Sequence, residues 1–325
     1  MKSRGIAFKL ISLICVTVTL ILVFVVQHNQ TLFRKLYFNS VGDNAENLAF
    51  SNLYKIESIL KAVEKVPQHI AYSLEHSTFG KDDVLKLTRQ IVDNNPEIYG
   101  STIAFEPFKF ESVSEYFAPY YFKSNGKTNF TYIGGKDYKY FSWDWYRIPK
   151  EKNSPNWTEP FFDEGGGDII MSTYSAPFYK TTKGIREFMG VVTADISLSW
   201  LTEIVSSMKI TPTGYAFLIS KNGTFITHPQ ERFIMNETIF TLAEKLDDPS
   251  LKNIGNEMVG GNMGALTNTT LFPGQKAWIF FHPLTTNGWS MAVVFPENDV
   301  FAGINRISIR IIFVSTIGLV FLLLG

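Results

Sequence analysis

A single cysteine, Cys15, occurs in 325 residues, which excludes an intrachain disulfide framework and any thiolate metal cluster. Stability must come from packing. Excess charge of either sign is also missing: 30 basic side chains balance 30 acidic ones and no block of like charge breaks the balance. Such a chain lacks the positive footprint that phosphate neutralisation requires, so nucleic acid is excluded as a partner. The five histidines (His28, His69, His76, His228 and His282) form no HExxH motif and no useful ligand pair, and no metal is expected. No GxSxG elbow supports nucleophilic hydrolysis. Gly165 to Gly167 are not followed by the GK[ST] and helix of a phosphate loop, so they read as a flexible connection. No cofactor is implied. Disorder is excluded by a 45% hydrophobic content.

Those apolar residues are concentrated at the two ends. IAFKLISLICVTVTLILVFVV, from Ile6 to Val26, contains one charge, Lys9, and as a helix covers about 30 Å, one bilayer core. It is too long, and lacks the small-x-small site, for a cleaved signal peptide. A second apolar run ends at Gly325; taken from residue 300 it recovers most of a span. Lys2 and Arg4 favour a cytoplasmic start. The sequence is therefore expected to make two passes through the inner (plasma) membrane, with residues 28–305 periplasmic or extracellular and the second pass truncated.

Between these runs the apolar residues from Leu32 to Leu74, mostly three or four apart, predict one long helix leaving the membrane, bent at Pro67. A helix over Lys81 to Asn94 follows. Strand patterns then alternate with hairpin dipeptides: Asn125-Gly126 and Lys183-Gly184 in one group, Asn222-Gly223, Pro273-Gly274 and Asn287-Gly288 in a second. A helix leading into antiparallel hairpins occurs twice. The expected class is α+β, with two stacked PAS-like antiparallel-sheet modules along a long helix and a transmembrane helix at either end. The expected divisions are 1–27 (cytoplasmic start and first span), 28–80 (long helix), 81–205 (membrane-distal module with the pocket), 206–299 (membrane-proximal module) and 300–325 (second span).

The connection from Tyr138 to Asp168 holds the densest group of chemistry-bearing residues. Long connections of this kind in compact domains are usually functional. Trp and Tyr faces attract a cation by about 0.5–2 kcal/mol, and a carboxylate fixes an ammonium through charge-assisted hydrogen bonds. The plainer alternative is that these rings fill a core, with Asp163 a turn residue and Asp195 a helix cap.

The order WDWYRIP, WTEPFFDEGGG, MSTYSAPFY and GVVTADISLSWL, with FLISKNGTFITHP in the second half, resembles the double Cache (dCache) sensor domain of bacterial and archaeal signalling proteins. The resemblance implies a small-molecule pocket in the first module. By position it assigns Tyr138, Trp145, Tyr146, Asp163 and Asp195 to that pocket. The sequence departs from the amino-acid-binding pattern at Trp143, where an arginine would hold a ligand carboxylate, and at Phe161, where a tyrosine would stand. Losing the guanidinium removes the bidentate carboxylate partner, so an amine or amino-acid-like ligand is expected, with an amine preferred and Trp143 as a further wall. The resemblance also implies a homodimer through the long helix and a missing cytoplasmic output, a PP2C-type serine phosphatase or a histidine kinase, with no catalysis by this stretch itself. Two other readings are an envelope carbohydrate-active enzyme using Asp163 and Asp195 as a carboxylate pair and a non-binding structural stalk.

Overall fold

A computed structural model describes residues 50–299 apart from 137, 209, 273 and 274, together with scattered positions nearer the two ends. Helix α1 runs from 50 to 76. Its buried side chains Leu53, Ile56, Leu60, Val63, Ala71 and Leu74 recur every three or four residues, the spacing that keeps one face of a helix on the core. The helix continues through Pro67 without a break. Helix α2 (Lys81–Asn94) coincides with its sequence pattern.

The first sheet contains β1 (Gly100–Phe105), β2 (Pro119–Ser124), β3 (Lys127–Tyr132), β4 (Asn156–Trp157), β5 (Phe161–Phe162), β6 (Ile170–Thr182) and β7 (Ile185–Ser197). The order is β3-β2-β1-β7-β6-β4, with β5 also on β6. Asn125-Gly126 and Lys183-Gly184 both have positive φ at each residue, the twist that a two-residue hairpin turn requires. Helix α3 (Asp144–Lys152) lies within the connection across the sheet, and α4 (Leu198–Ser206) follows β7.

The second sheet contains β8 (Tyr215–Ile219), β9 (Phe225–Thr227), β10 (Gly264–Asn268), β11 (Ala277–Pro283) and β12 (Ser290–Pro296), with α5 (Ile239–Lys245) and α6 (Pro249–Val259) between β9 and β10. Its order is β9-β8-β12-β11-β10. In both sheets the opening strand therefore lies between its own successor and the last strand, so the two PAS-like modules share one topology.

Strand alternation gives each sheet two faces. One face of both packs on α1 in a continuous core: Ile103, Phe105, Val192, Ala194 and Ile196 from the first sheet, and Ala216, Leu218, Met291, Val293 and Phe295 from the second. Polar contacts repeat this attachment. Glu57 of α1 accepts from the Thr285 backbone N–H (3.1 Å) beside β11, and Glu64 accepts from Trp157 Nε1 (2.7 Å) in the first module. Trp157 in turn lies 6.2 Å, ring to ring, from Trp289 of the second module.

One expectation requires correction. Among the described residues no helix is long and apolar enough to cross a membrane, which argues against the flanking transmembrane helices and the two-pass membrane placement. The apolar segments behind that reading, 6–26 and 300–325, lie mostly outside the described residues, as do most of 28–49 and the Pro273-Gly274 turn.

Candidate functional site

The face of the first sheet turned away from α1 carries hydroxyl and carboxyl groups where a core would have aliphatic ones. Thr102 of β1, Tyr120 of β2, Thr173 of β6 and Thr193 and Asp195 of β7 occupy it, and the connection bearing α3 closes over it with Tyr138, Trp145, Phe161 and Asp163. Together they enclose a cavity of about 10 Å³, space for about one water or one ammonium group.

Register explains how Asp195 arrives there. It stands opposite Gly100 on β1 and Thr173 on β6, two residues along from Thr193, so alternation directs both side chains to the same face. Asp195 is an interior strand residue and not a helix cap: the N-cap position of α4 is Ser197. Thr173 donates its hydroxyl to Asp195 Oδ1 at 2.9 Å. Burial, with Asp163 as a like-charged neighbour, pushes the Asp195 carboxyl up to about 8. Gly100 leaves the room: a Cβ there would stand 2.2 Å from Tyr120 Oη and 3.0 Å from Asp195 Oδ2.

Asp163 is held from two sides. Tyr138 Oη donates to its Oδ1 at 2.7 Å, and the backbone N–H of Gly167 donates to its Oδ2 at 2.9 Å. Burial still raises its pKa above the ordinary carboxylate value, against those two hydrogen bonds. The triple glycine is thus a cradle rather than a flexible link. Gly165 adopts a positive φ of 80°, and a Cβ on Gly166 would fall 2.1 Å from Asp163 Oδ2.

The aromatic residues divide between three places. Tyr138 stacks on Trp143 with ring centres 5.2 Å apart, and Trp143 lies 5.9 Å from Phe161. Trp145 and Phe161 form the partition between the inner cavity and an outer one that Trp143 lines. Tyr146 is elsewhere: successive helical residues point about 100° apart, and Tyr146 Oη donates to Glu106 at 2.8 Å. Of the seven residues singled out from the sequence, Tyr138, Trp145, Phe161, Asp163 and Asp195 line the inner cavity, Trp143 the outer one and Tyr146 neither.

Reading the sequence overlooked Thr102, Tyr120, Thr173, Thr193 and Glu159. A usable signal existed in β7, where Thr193 and Asp195 repeat at period two against the aliphatic Val192, Ala194 and Ile196 of the other face. Thr102 Oγ1 is buried without a hydrogen-bond partner, and the Tyr120 hydroxyl, also buried, is directed at the Asp195 carboxyl. Unpaired buried hydroxyls cost about 1–3 kcal/mol. No Lys, Arg or His lines either cavity. Arg147, two residues after Trp145, is bound at 2.7 Å to Asp144 and 3.0 Å to Glu151 on the exposed face of α3. Among the described residues no group of three or more His, Cys, Asp or Glu side chains could hold a metal ion.

The fold and this pocket define an extracytoplasmic sensor domain. Residues 84–203 match the family described as methyl-accepting chemotaxis protein-like, first PDC sensor domain. The methyl-accepting chemotaxis protein PscA of Pseudomonas syringae pv. tomato is 25% identical over 194 residues, 59% of this chain and 28% of its own length. A solved extracellular domain of a protein described as a histidine kinase, mmHK1S-Z3, is 26% identical, with a TM-score of 0.69, covering 84% of this chain and 98% of that one. The solved ligand-binding domain of the Pseudomonas aeruginosa receptor PctC in complex with GABA shares the fold at 18% identity and a TM-score of 0.53, covering 78% of this chain and 98% of that one. The described fold is thus a dCache/MCP-like sensor domain, homologous to those of bacterial chemoreceptors and histidine kinases. The matched domains are described as sensor or ligand-binding domains, a homology that lends no support to the carbohydrate-active reading of the two aspartates.

Proposed function

We propose that this sensor domain recognises a small organic amine in the cavity between Asp163 and Asp195, and that occupancy regulates a histidine-kinase or serine-phosphatase output. One observation carries the reading: two buried carboxyl groups face an aromatic-walled cavity with no basic side chain in its lining. A ligand carboxylate would meet only acids and hydroxyls there. An ammonium would meet Asp163 and Asp195 as acceptors, with the Thr102 hydroxyl free to accept a further hydrogen bond. The rings of Tyr138, Trp145 and Phe161 add cation–π attraction. GABA in the PctC complex carries an ammonium, which agrees with a cation-accepting site in this fold.

The same geometry suggests how occupancy reaches α1. Asp195 is bonded to Thr173, whose backbone N–H donates to Thr158 Oγ1 at 3.0 Å. The neighbouring Trp157 is the residue held by Glu64 of α1. Recruiting Asp195 to a cation therefore pulls on a short bonded series that ends on the helix shared by both modules.

Calorimetry on the purified chain tests the ligand class. n-Butylamine is expected to bind at least about tenfold more tightly than the amino acid carrying the same alkyl chain, because the latter buries a carboxylate without a partner. Equal or tighter binding of the amino acid would refute the amine reading.

A further inference from the structure

Beside the inner cavity lies a larger outer one of about 430 Å³, whose lining includes Trp143, Asp144, Trp145, Glu159 and Phe161. Trp145 and Phe161 belong to both linings, so only an aromatic partition separates the outer space from the Asp163–Asp195 pair. The outer cavity is also acidic, and its two carboxylates differ. Asp144 is neutralised by Arg147. The Oε1 atom of Glu159, in contrast, is buried and has no hydrogen-bond donor. A buried acceptor oxygen on an ionised group is costly unless a donor reaches it, and no residue lining the cavity supplies a cationic one.

We infer that Glu159 forms a second cation subsite, and that the ligand is a linear molecule with an ammonium group at each end. This rests on the amine reading of the inner cavity and narrows it. One ammonium sits between Asp163 and Asp195, the alkyl chain passes the Trp145–Phe161 partition, and the other ammonium reaches Glu159 under the Trp143 ring. The arrangement assigns a role to each feature the inner site leaves unused: the outer cavity, the orphaned carboxylate oxygen, and a tryptophan partly open to solvent. Diamines, polyamines and decarboxylated basic amino acids have the required chemistry. Monoamines reach only the inner carboxylates, and a molecule with a carboxylate at its far end would face Glu159 in repulsion.

Calorimetric titration of the full chain with a series from ethylenediamine to hexamethylenediamine, against n-butylamine, decides the matter. A charge-assisted hydrogen bond at a partly solvated site is expected to make the best-fitting diamine about tenfold tighter than the monoamine. Glu159→Gln should lower diamine affinity to that of n-butylamine and leave n-butylamine itself unchanged. Equal affinity of every diamine and the monoamine for the native chain would overturn the second subsite while leaving the amine reading in place. A diamine advantage that survives Glu159→Gln would remove Glu159 from the role. Failure of all amines to bind would overturn both conclusions. The comparison on the native chain needs no variant, so it decides even if Glu159→Gln folds poorly.

Discussion

The two modules share a strand order and a supporting helix, yet their second faces have opposite chemistry. In the first module that face carries Thr102, Thr173, Thr193 and Asp195 around a void. In the second, the equivalent face is filled by Phe217, Ile219, Phe225, Ile279, Phe281 and Val294, packed on Ile239, Leu242, Leu251, Ile254 and Met258 of α5 and α6. One topology thus supports either a site or a core. Roughly, the filled face gains about 1.5–3 kcal/mol for each large side chain it buries, and the hollow face forgoes that stabilisation and retains unpaired hydroxyls. The expectation is a division of labour, in which the second module anchors and the first can adjust to a ligand.

The sharpest way to break that comparison is to hollow the second module. Phe225 is 1% exposed and lies 5.5 Å from Phe217 and 5.2 Å from His228, ring to ring. Phe225→Ala should cost about 3–5 kcal/mol in a urea unfolding series. A loss below about 1 kcal/mol would mean that this face is not the anchor.

Asp195→Asn probes the first module in the opposite direction, and the sign of its pH effect can be worked out. The native Asp195 carboxyl is raised to about 8, so from the ordinary carboxylate range up to that value the folded state retains a proton that the unfolded state has lost. Stability therefore falls as pH rises through this interval. His228 acts oppositely: burial lowers it to about 4 from 6.5, so its contribution to stability rises with pH between those values. Above pH 6.5 only the Asp195 effect remains. The native chain should lose up to about 1.4 kcal/mol per pH unit between 6.5 and 8, and Asp195→Asn should flatten that slope. The same substitution should weaken n-butylamine binding by about 30- to 100-fold, in line with the loss of a charged hydrogen-bond partner worth about 2–3 kcal/mol. Undiminished binding would remove Asp195 from the site.

A smaller effect is expected from the glycine cradle. In Gly166→Ala the new methyl would stand 2.1 Å from Asp163 Oδ2, so the carboxylate must shift away from Tyr138 or from the Gly167 N–H. Amine affinity should fall about tenfold, the cost of about one charge-assisted hydrogen bond. An unchanged titration would show that the loop relocates freely, as the sequence reading supposed.

How far the sequence could be read follows the range of the interactions. Hairpins at Asn125-Gly126 and Lys183-Gly184 were legible because positive φ at two adjacent residues is a local demand. Helix α2 was legible from its stripe. Helix α3 was not: its nine residues DWYRIPKEK include Pro149 and five charges, and its buried side chains are only Trp145, Tyr146 and Pro149, too few to set a period. Helix α6 was hidden for a related reason, since Gly255 sits within it. The two aspartates could be named from the family pattern, but their proximity is a product of strand register and loop closure, which no window of sequence contains. Tyr146 shows the limit most plainly, because the pattern WY treats as a pair two residues that a helix sends to different faces.

The smallest prediction bears directly on why the first module stays hollow. Thr102 Oγ1 is buried without a partner, and its residue is 2% exposed. Thr102→Val keeps the β-branched shape that a strand favours and removes the unpaired hydroxyl. If Thr102 served only the fold, the substitution would stabilise the empty chain and do nothing else. If the hydroxyl is retained to accept a hydrogen bond from a bound ammonium, the chain should gain about 1 kcal/mol in urea unfolding and bind n-butylamine a few-fold more weakly. A gain in stability with unaltered binding would leave the hydroxyl without a ligand role. A loss of stability would instead point to an unrecognised partner for Thr102, and the contrast between a polar void and a packed core would then be weaker than the fold suggests.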